Sequence, residues 1–428
     1  MSKKVLIVAY YWPPAGGPGV QRWLKFVKYL PDFGIEPIVY VPSNPNYPII
    51  DESLLDEVPK NVRILRQPIL EPYKMASFLF KKKAKTISKG IIQIPKKQDW
   101  RDRLLLYIRG NMFIPDARKA WIKPSVRYLA TLIKDFDIDT VITSGPPHSM
   151  HLIGLKLKEK LDINWIADFR DPWTTIGYHK RLKLLKSSKD KHLKLEANVL
   201  QTADHIITTS QYTANEFSTK TDQPISVITN GYDVSSVGNV KQDEKFTLSH
   251  IGSFLSDRNP EVLWNVLTEL IDEHYEFKQA FQLQLFGVVS QEVLEAVKEN
   301  GLYAYTTSFG YVSHPEALKA QRSSRVLLLI EINSEDTKAI IPGKIFEYMA
   351  SNTPILAIGP RGSDVEEIIK KTNTGHYFDY DSRSEIKQQI LSYFEAYKTN
   401  TLMVNGIGIE KYSRRSLTKK LAELIDKF

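Results

Sequence analysis

Short apolar runs alternate along the chain with stretches whose apolar residues recur at helical spacing. Residues 5–9 form a continuous apolar run, 20–30 carry a helical pattern, and 37–41 are a second run. This alternation predicts βαβ units and parallel sheets. Further strands are expected at 140–143, 165–167, 205–208 and 226–228, with helices over 123–134 and 192–201 between them. Asn230-Gly231 is a turn dipeptide, and the polar segment 235–245 after it has no periodicity, which places a linker over 235–246. A second series follows, with strands at 247–251, 282–286, 326–330 and 355–357 and helices at 261–273, 291–300, 345–351 and 365–370. The pattern therefore predicts an α/β chain of two doubly wound domains, 1–234 and 247–410. Over 411–428 a helix with Leu417, Leu421, Leu424 and Ile425 on one face is expected to pack back on the first domain. Ligands of open α/β sheets sit beyond the carboxyl ends of the strands, so two such domains facing a central cleft would hold a site there.

Composition narrows the class. With 428 residues, 42% hydrophobic and 25% charged, the chain is long enough for about two cores. It has no cysteine, so disulfides, thiolate metal sites and cysteine nucleophiles drop out, and a reducing compartment is expected. Trp12-Pro13-Pro14 interrupts the first apolar run before a signal peptide is complete, and no run reaches the roughly 18–20 apolar residues of a membrane span. The expectation is a cytoplasmic protein, peripheral at the inner face of the membrane.

The net charge of +9 is uneven. From Lys74 to Lys134 sixteen Lys or Arg stand against Asp99, Asp102 and Asp116, so the remainder is net acidic. Phe78, Leu79, Phe80, Ile91, Leu104, Leu105 and Tyr107 are interleaved with these cations, a mixture suited to an anionic membrane surface. A solvated basic face is the competing reading. No nucleic-acid motif accompanies the charge, so no nucleic-acid partner is expected.

Two segments carry candidate chemistry. The first βα turn, Tyr10 to Gly19, contains Gly16 and Gly17 and leads into a helix, where backbone amides can approach anionic oxygens. The dinucleotide fingerprint is not met, because Arg22 stands at the third glycine position. The second segment is Ile341-Pro342-Gly343-Lys344-Ile345-Phe346-Glu347-Tyr348-Met349-Ala350-Ser351-Asn352-Thr353-Pro354. A Pro-Gly loop there opens a helix bearing one lysine and one carboxylate, parts suited to a diphosphate and a ribose. A capped helix with a surface glutamate is the structural alternative.

At this segment the sequence resembles the donor domain of family-four retaining glycosyltransferases, proteins of the GT-B type with two Rossmann-like domains. The resemblance extends over nearly the whole chain. Asn230-Gly231-Tyr232-Asp233 resembles the family's segment before the linker, and His250-Ile251-Gly252-Ser253 the strand and glycine turn that open the donor domain. Arg258 falls where the family often has a diphosphate-binding lysine. Pro146-Pro147-His148-Ser149 and Ala167-Asp168-Phe169-Arg170-Asp171-Pro172-Trp173 fall at strand ends of the acceptor domain.

The resemblance implies transfer of a sugar, with retention, from a nucleotide-sugar to a lipid-linked or saccharide acceptor in cell-surface glycan synthesis. It implies no metal and no cofactor beyond the nucleotide-sugar co-substrate, with a nucleoside diphosphate as product. Arg258 and Lys344 would stabilise the leaving diphosphate, and Asp168 and His148 would position sugar and acceptor. Gly16, Gly17, Gly252, Ser253, Gly343, Ile345 and Glu347 would bind the donor, and His151 and Arg170 would lie on the acceptor side. For His148 and His151 a structural role competes, as does an internal ion-pair network for Asp168.

Two departures stand out. The family pairs Glu347 with a glutamate where this chain has Ala339, and Ser253 replaces a basic residue; Glu331, Glu335 and Asp336 are nearby but out of register. The competing classes are an NAD-dependent oxidoreductase or epimerase, which lacks the acidic residue after the second strand, and a catalytically silent sugar-nucleotide-binding protein.

Overall fold

The computed structural model describes residues 2–71, 100–177, 179, 182–233 and 240–428. Lys81, Lys82, Lys83 and Lys85, with residues 74–99 of the expected basic stretch, and residues 235–239 of the expected linker lie outside them. The chain forms two compact units, Met1–Asn230 together with Arg414–Phe428, and Gly231–Ser413.

In the first unit seven parallel strands run in the order β3-β2-β1-β4-β5-β6-β7. They are β1 (Lys3–Val8), β2 (Ile35–Pro42), β3 (Arg63–Gln67), β4 (Thr140–Gly145), β5 (Asn164–Phe169), β6 (His205–Thr208) and β7 (Ile225–Val227). The helices are α1 (Pro18–Tyr29), α2 (Trp100–Met112), α3 (Lys119–Asp135), α4 (Ser149–Lys158), α5 (Lys186–Thr202) and α6 (Gln211–Ser218). Helices cover both faces of the central strands, which explains why β1 reads as a continuous apolar run rather than an alternating one. Val20, Trp23, Leu24 and Val27 form the buried stripe of α1 on β1 and β2. The C-terminal helix, Arg414–Ile425, buries Leu417, Leu421, Leu424 and Ile425 in the same core. Lys420 Nζ donates to the carbonyl of Val227 at 2.8 Å, and Arg414 to Gln21 Oε1 at 2.8 Å.

The second unit holds six parallel strands in the order β10-β9-β8-β11-β12-β13. These are β8 (Phe246–Ile251), β9 (Phe281–Phe286), β10 (Thr306–Gly310), β11 (Val326–Ile330), β12 (Ile355–Ile358) and β13 (Gly375–Phe378). Helices α7 (Glu261–Glu273), α8 (Tyr275–Ala280), α9 (Gln291–Glu299), α10 (His314–Ser323), α11 (Lys344–Ala350), α12 (Asp364–Thr372) and α13 (Arg383–Lys398) complete it, and the C-terminal helix is α14. Both sheets reverse their strand order once, between β1 and β4 and between β8 and β11. Crevices at such reversals are where doubly wound sheets bind ligands. In the second sheet β11 pairs with β8 at Val326 and Leu327, opposite Leu248 and Ser249. Among the described residues, no helix is long and apolar enough to cross a membrane.

Candidate functional site

At the reversal of the first sheet, the loops after β1 and β4 and the start of α1 come together with the segment after β5. Gly17 caps α1 with φ 106°, a left-handed backbone that only glycine adopts readily. The Arg170 guanidinium lies directly against the Cα of Gly19, in the space a Cβ would need. It also donates to the carbonyl of Pro146 and stands over the ring of Tyr11 at 5.7 Å, while its Nε is buried without a hydrogen-bond partner. His148 precedes α4, whose first turn is held by Asp116 through the amide and hydroxyl of Ser149, each at 2.8 Å. Its ring stacks on Trp173 at 4.7 Å, and both ring nitrogens are buried without a partner. Burial first, and the neighbouring histidines and Arg170 after it, hold His148 neutral, well below the ordinary histidine range.

His151 stacks on Phe169 at 4.2 Å, and its Nδ1 meets Thr143 Oγ1 at 2.9 Å. Burial lowers it to about 3, so it too is neutral at physiological pH.

Asp168 corrects the expectation of a carboxylate facing substrate. It is fully buried, and four donors occupy its two oxygens. Arg22 Nη2 donates to Oδ1 at 2.8 Å and Arg22 Nε to Oδ2 at 3.4 Å, while Trp23 Nε1 and Ser144 Oγ donate to Oδ2 at 2.9 and 2.8 Å. The same arginine donates to the carbonyls of Ile228 and Thr229, both at 2.9 Å. Asp168 is therefore the hub that fixes α1 to β4, β5 and the segment after β7; both of its oxygens are engaged by protein donors. Gly16 is corrected likewise, because Ile49 and Asp51 fill the space beside it and its amide donates to the Ile49 carbonyl at 3.0 Å.

In the second unit the site is built on β8 and α11. Tyr348 of α11 hydrogen-bonds both backbone groups of Ile251, accepting from its amide at 2.9 Å and donating to its carbonyl at 3.1 Å. One turn earlier on the same helix face, Lys344 is thereby brought to the end of β8. Its Nζ donates to His250 Nε2 at 3.1 Å and lies against Gly252, where a Cβ would come within 2.9 Å. Gly252 has φ 113°, so both its backbone and its missing side chain are required. Burial first and Arg258 second lower Lys344 to about 7. Burial likewise lowers Arg258, whose Nε is buried without a partner. Among the described residues neither Lys344 nor Arg258 forms an ion pair. Burial and the lysine keep His250 neutral.

Gly343 borders open space and Ser253 is exposed at the same edge. Ile345 is corrected: its side chain is in the core and its amide already donates to the Pro342 carbonyl at 3.1 Å. Glu347 is half-buried, with Oε1 3.0 Å from His314 Nε2 and Oε2 accepting from Gln321 Nε2 at 3.2 Å. α10 thus pre-orients this carboxylate. Glu331, set aside in the sequence as out of register, lies buried at the end of β11 and is raised by burial to about 7. Among the described residues no three His, Asp or Glu side chains come together as metal ligands.

Two doubly wound units of this kind are the architecture of the GT-B fold. The same architecture is found in solved structures that align over almost the entire chain. The lipopolysaccharide outer core galactosyltransferase WaaB is 13% identical, with 99% of this chain and 100% of that chain covered and a TM-score of 0.58. A variant of S. aureus TarM in complex with Fondaparinux, α-GlcNAc-glycerol and UDP is 14% identical, covering 99% and 100%, with a TM-score of 0.57. Trehalose-6-phosphate from E. coli bound with UDP-2-fluoro glucose, as that structure is described, is 9% identical, covering 100% and 99%, with a TM-score of 0.57. No curated protein matches the chain by sequence. Residues 95–236 match the model of Glycosyltransferase Family 4, and the two-unit fold is the one found in the GT-B structures above.

Proposed function

We propose that this protein transfers a sugar, with retention at the anomeric carbon, from a nucleotide-sugar to a lipid-linked or saccharide acceptor in cell-surface glycan synthesis. The observation that carries the reading is the pair of cations Lys344 and Arg258, held half-buried at the reversal of the second sheet with no carboxylate among the described residues paired to either. Concentrating two positive charges there is unfavourable until an anion arrives, and a diphosphate has the charge to satisfy both. Preorganised cations stabilise negative charge that grows on a leaving group, an effect that reaches several kcal/mol. With that charge supplied by side chains, the leaving diphosphate would help to deprotonate the attacking hydroxyl, and we propose that no metal or further cofactor is needed. Glu347 would accept ribose hydroxyls, displacing His314 or Gln321, beside the open edge at Gly252, Ser253 and Gly343.

In the first unit Arg170, His148 and His151 each keep a buried ring or guanidinium nitrogen without a partner, and we assign them to the acceptor side; Gly17 stays assigned to the donor. The neighbours described with UDP, UDP-2-fluoro glucose and a saccharide support nucleotide-sugar and saccharide as the partners. For a lipid-linked acceptor at an anionic membrane surface, the support is the basic, apolar stretch and α2, which exposes Leu104, Tyr107 and Met112. Leu185, also exposed, is held beside α2 by Asn111, whose Oδ1 accepts from the Leu185 amide at 2.8 Å. Such a protein would work at the inner face of the membrane.

A thermal-shift screen tests the reading, since a ligand bound only by the native state raises apparent stability. Nucleoside diphosphates should stabilise the protein and NAD(H) should not. Stabilisation by NAD(H) alone would overturn the assignment.

A further inference from the structure

Glu331 directly follows β11, at the point where the strand order of the second sheet reverses, and only 3% of its surface is exposed. Its Oε2 is well satisfied: Ser363 Oγ donates to it at 2.9 Å and Tyr377 Oη at 2.8 Å. Tyr380 Oη donates to the main-chain carbonyl of the same residue at 2.7 Å. The other oxygen, Oε1, is buried and has no hydrogen-bond partner. Arg258 is close enough for the two charges to influence each other, yet no ion pair joins them, and Arg258 Nε is likewise buried and unpartnered. A buried acceptor and a buried donor are thus both left open at one ligand-binding crevice, an arrangement that native structures otherwise avoid.

Anchoring Ser363 and Tyr377 requires one acceptor oxygen, which an amide would supply without the difficulty of burying a carboxyl. The second oxygen therefore calls for its own explanation. Two other acids of this edge are already engaged. Glu335 is exposed and paired with Lys338 at 2.8 Å, and Glu347 is engaged by α10. Ala339 has no carboxylate to offer.

We propose that Glu331 Oε1 accepts a hydroxyl of the donor's sugar, so that the end of β11 supplies the carboxylate missing at Ala339. The inference rests on the nucleotide-sugar reading above. It makes Glu331 the residue that distinguishes a donor from its nucleoside diphosphate product, while Arg258 and Lys344 bind the part common to both. Burial that raises the carboxyl to about 7 fits a group whose charged form is completed by the incoming hydroxyl.

The test uses Glu331→Gln, whose amide oxygen still accepts from Ser363 and Tyr377 while its NH2 replaces the free oxygen. Calorimetry would compare UDP, GDP and ADP with UDP-glucose, UDP-N-acetylglucosamine, GDP-mannose and ADP-glucose. For whichever pair the wild type binds, the variant should keep its thermal midpoint and its Kd for the nucleoside diphosphate. It should lose at least about tenfold in affinity for the nucleotide-sugar, the loss expected of one hydrogen bond to a charged group. Deoxy-sugar analogues of that donor provide a second arm on unmodified protein. One of them should bind wild type about tenfold more weakly than the parent sugar and bind Glu331→Gln no worse than the parent. Unchanged affinity of the variant for the nucleotide-sugar, or no penalty for any deoxy analogue with wild type, overturns the proposal. An equal loss for diphosphate and nucleotide-sugar overturns it too, since Glu331 would then only position Arg258. Wild-type protein that binds none of the diphosphates defeats the donor-site reading itself.

Discussion

Raising the pH from 7 to 9 should weaken nucleoside diphosphate binding by up to about fiftyfold, with Lys344 responsible. Burial and Arg258 bring its ammonium down to about 7. A bound diphosphate favours the charged form, so above pH 7 the complex keeps a proton that the free protein has lost. Once the free lysine is mostly deprotonated, each unit of pH raises Kd by about tenfold, until the pH reaches the higher pKa of the complex. Among the groups facing Lys344, His250 stays neutral throughout, and Arg258, lowered from 12.5, remains cationic. Glu331 lies beyond Arg258 and also titrates near 7, so a variant must separate the two. Lys344→Met should bind about 10–100-fold more weakly at pH 7, the loss of one charge-assisted hydrogen bond, and its pH slope should fall by one proton. Calorimetry in two buffers of different ionisation heat, at pH 7, 8 and 9, counts that proton directly. A slope as steep in Lys344→Met as in wild type would refute the argument. Unliganded stability should move the other way. The unfolded lysine titrates at 10.5 and binds more protons than the folded one between about 7 and 10.5, so wild type gains stability as the pH rises through that window. Lys344→Met should accordingly be the more stable protein at pH 7, by on the order of 2–4 kcal/mol.

Asp168→Asn should destabilise the first unit by about 3–5 kcal/mol in urea unfolding, because Arg22 is left buried without its counter-charge; a midpoint within experimental error of wild type would return Asp168 to the list of substrate contacts. Glu347→Ala should leave the fold intact and weaken nucleoside diphosphate binding about tenfold or more, read by calorimetry. Gly19→Ala should displace the Arg170 guanidinium and slow transfer to acceptor while hydrolysis of the donor continues, a split that a coupled assay for released nucleoside diphosphate resolves. Replacing Lys81, Lys82, Lys83 and Lys85 with Gln should weaken sedimentation with anionic liposomes, each lysine contributing on the order of 1 kcal/mol at low salt; wild-type protein that ignores such liposomes at low salt would favour a soluble acceptor.

The central strands of both sheets were legible because helices on both faces bury them, leaving unbroken apolar runs such as Val5 to Val8 and Val326 to Ile330. No comparable run announces β3, β10 or β13. All three are edge strands with half-exposed residues, so a sequence such as Thr306 to Gly310 carries no strong period. The helix of Lys344 to Ala350 was legible from its Pro-Gly entry, and so was the pairing of a lysine with a glutamate on it. What each polar group does was less so, since a motif gives spacing along one segment whereas function depends on groups that meet across the sheet. Asp168 sits in a charged cluster that reads as chemistry, yet Arg22, 146 residues away, claims it. Glu331 reads as a misplaced acid until Ser363 and Tyr377, 32 and 46 residues further on, are seen to take one oxygen and leave the other. The contrast supplies a physical criterion for telling the two apart. A buried carboxylate whose two oxygens are both engaged by protein donors belongs to the scaffold, and one that keeps a buried oxygen open at a strand-order reversal is held ready for a ligand.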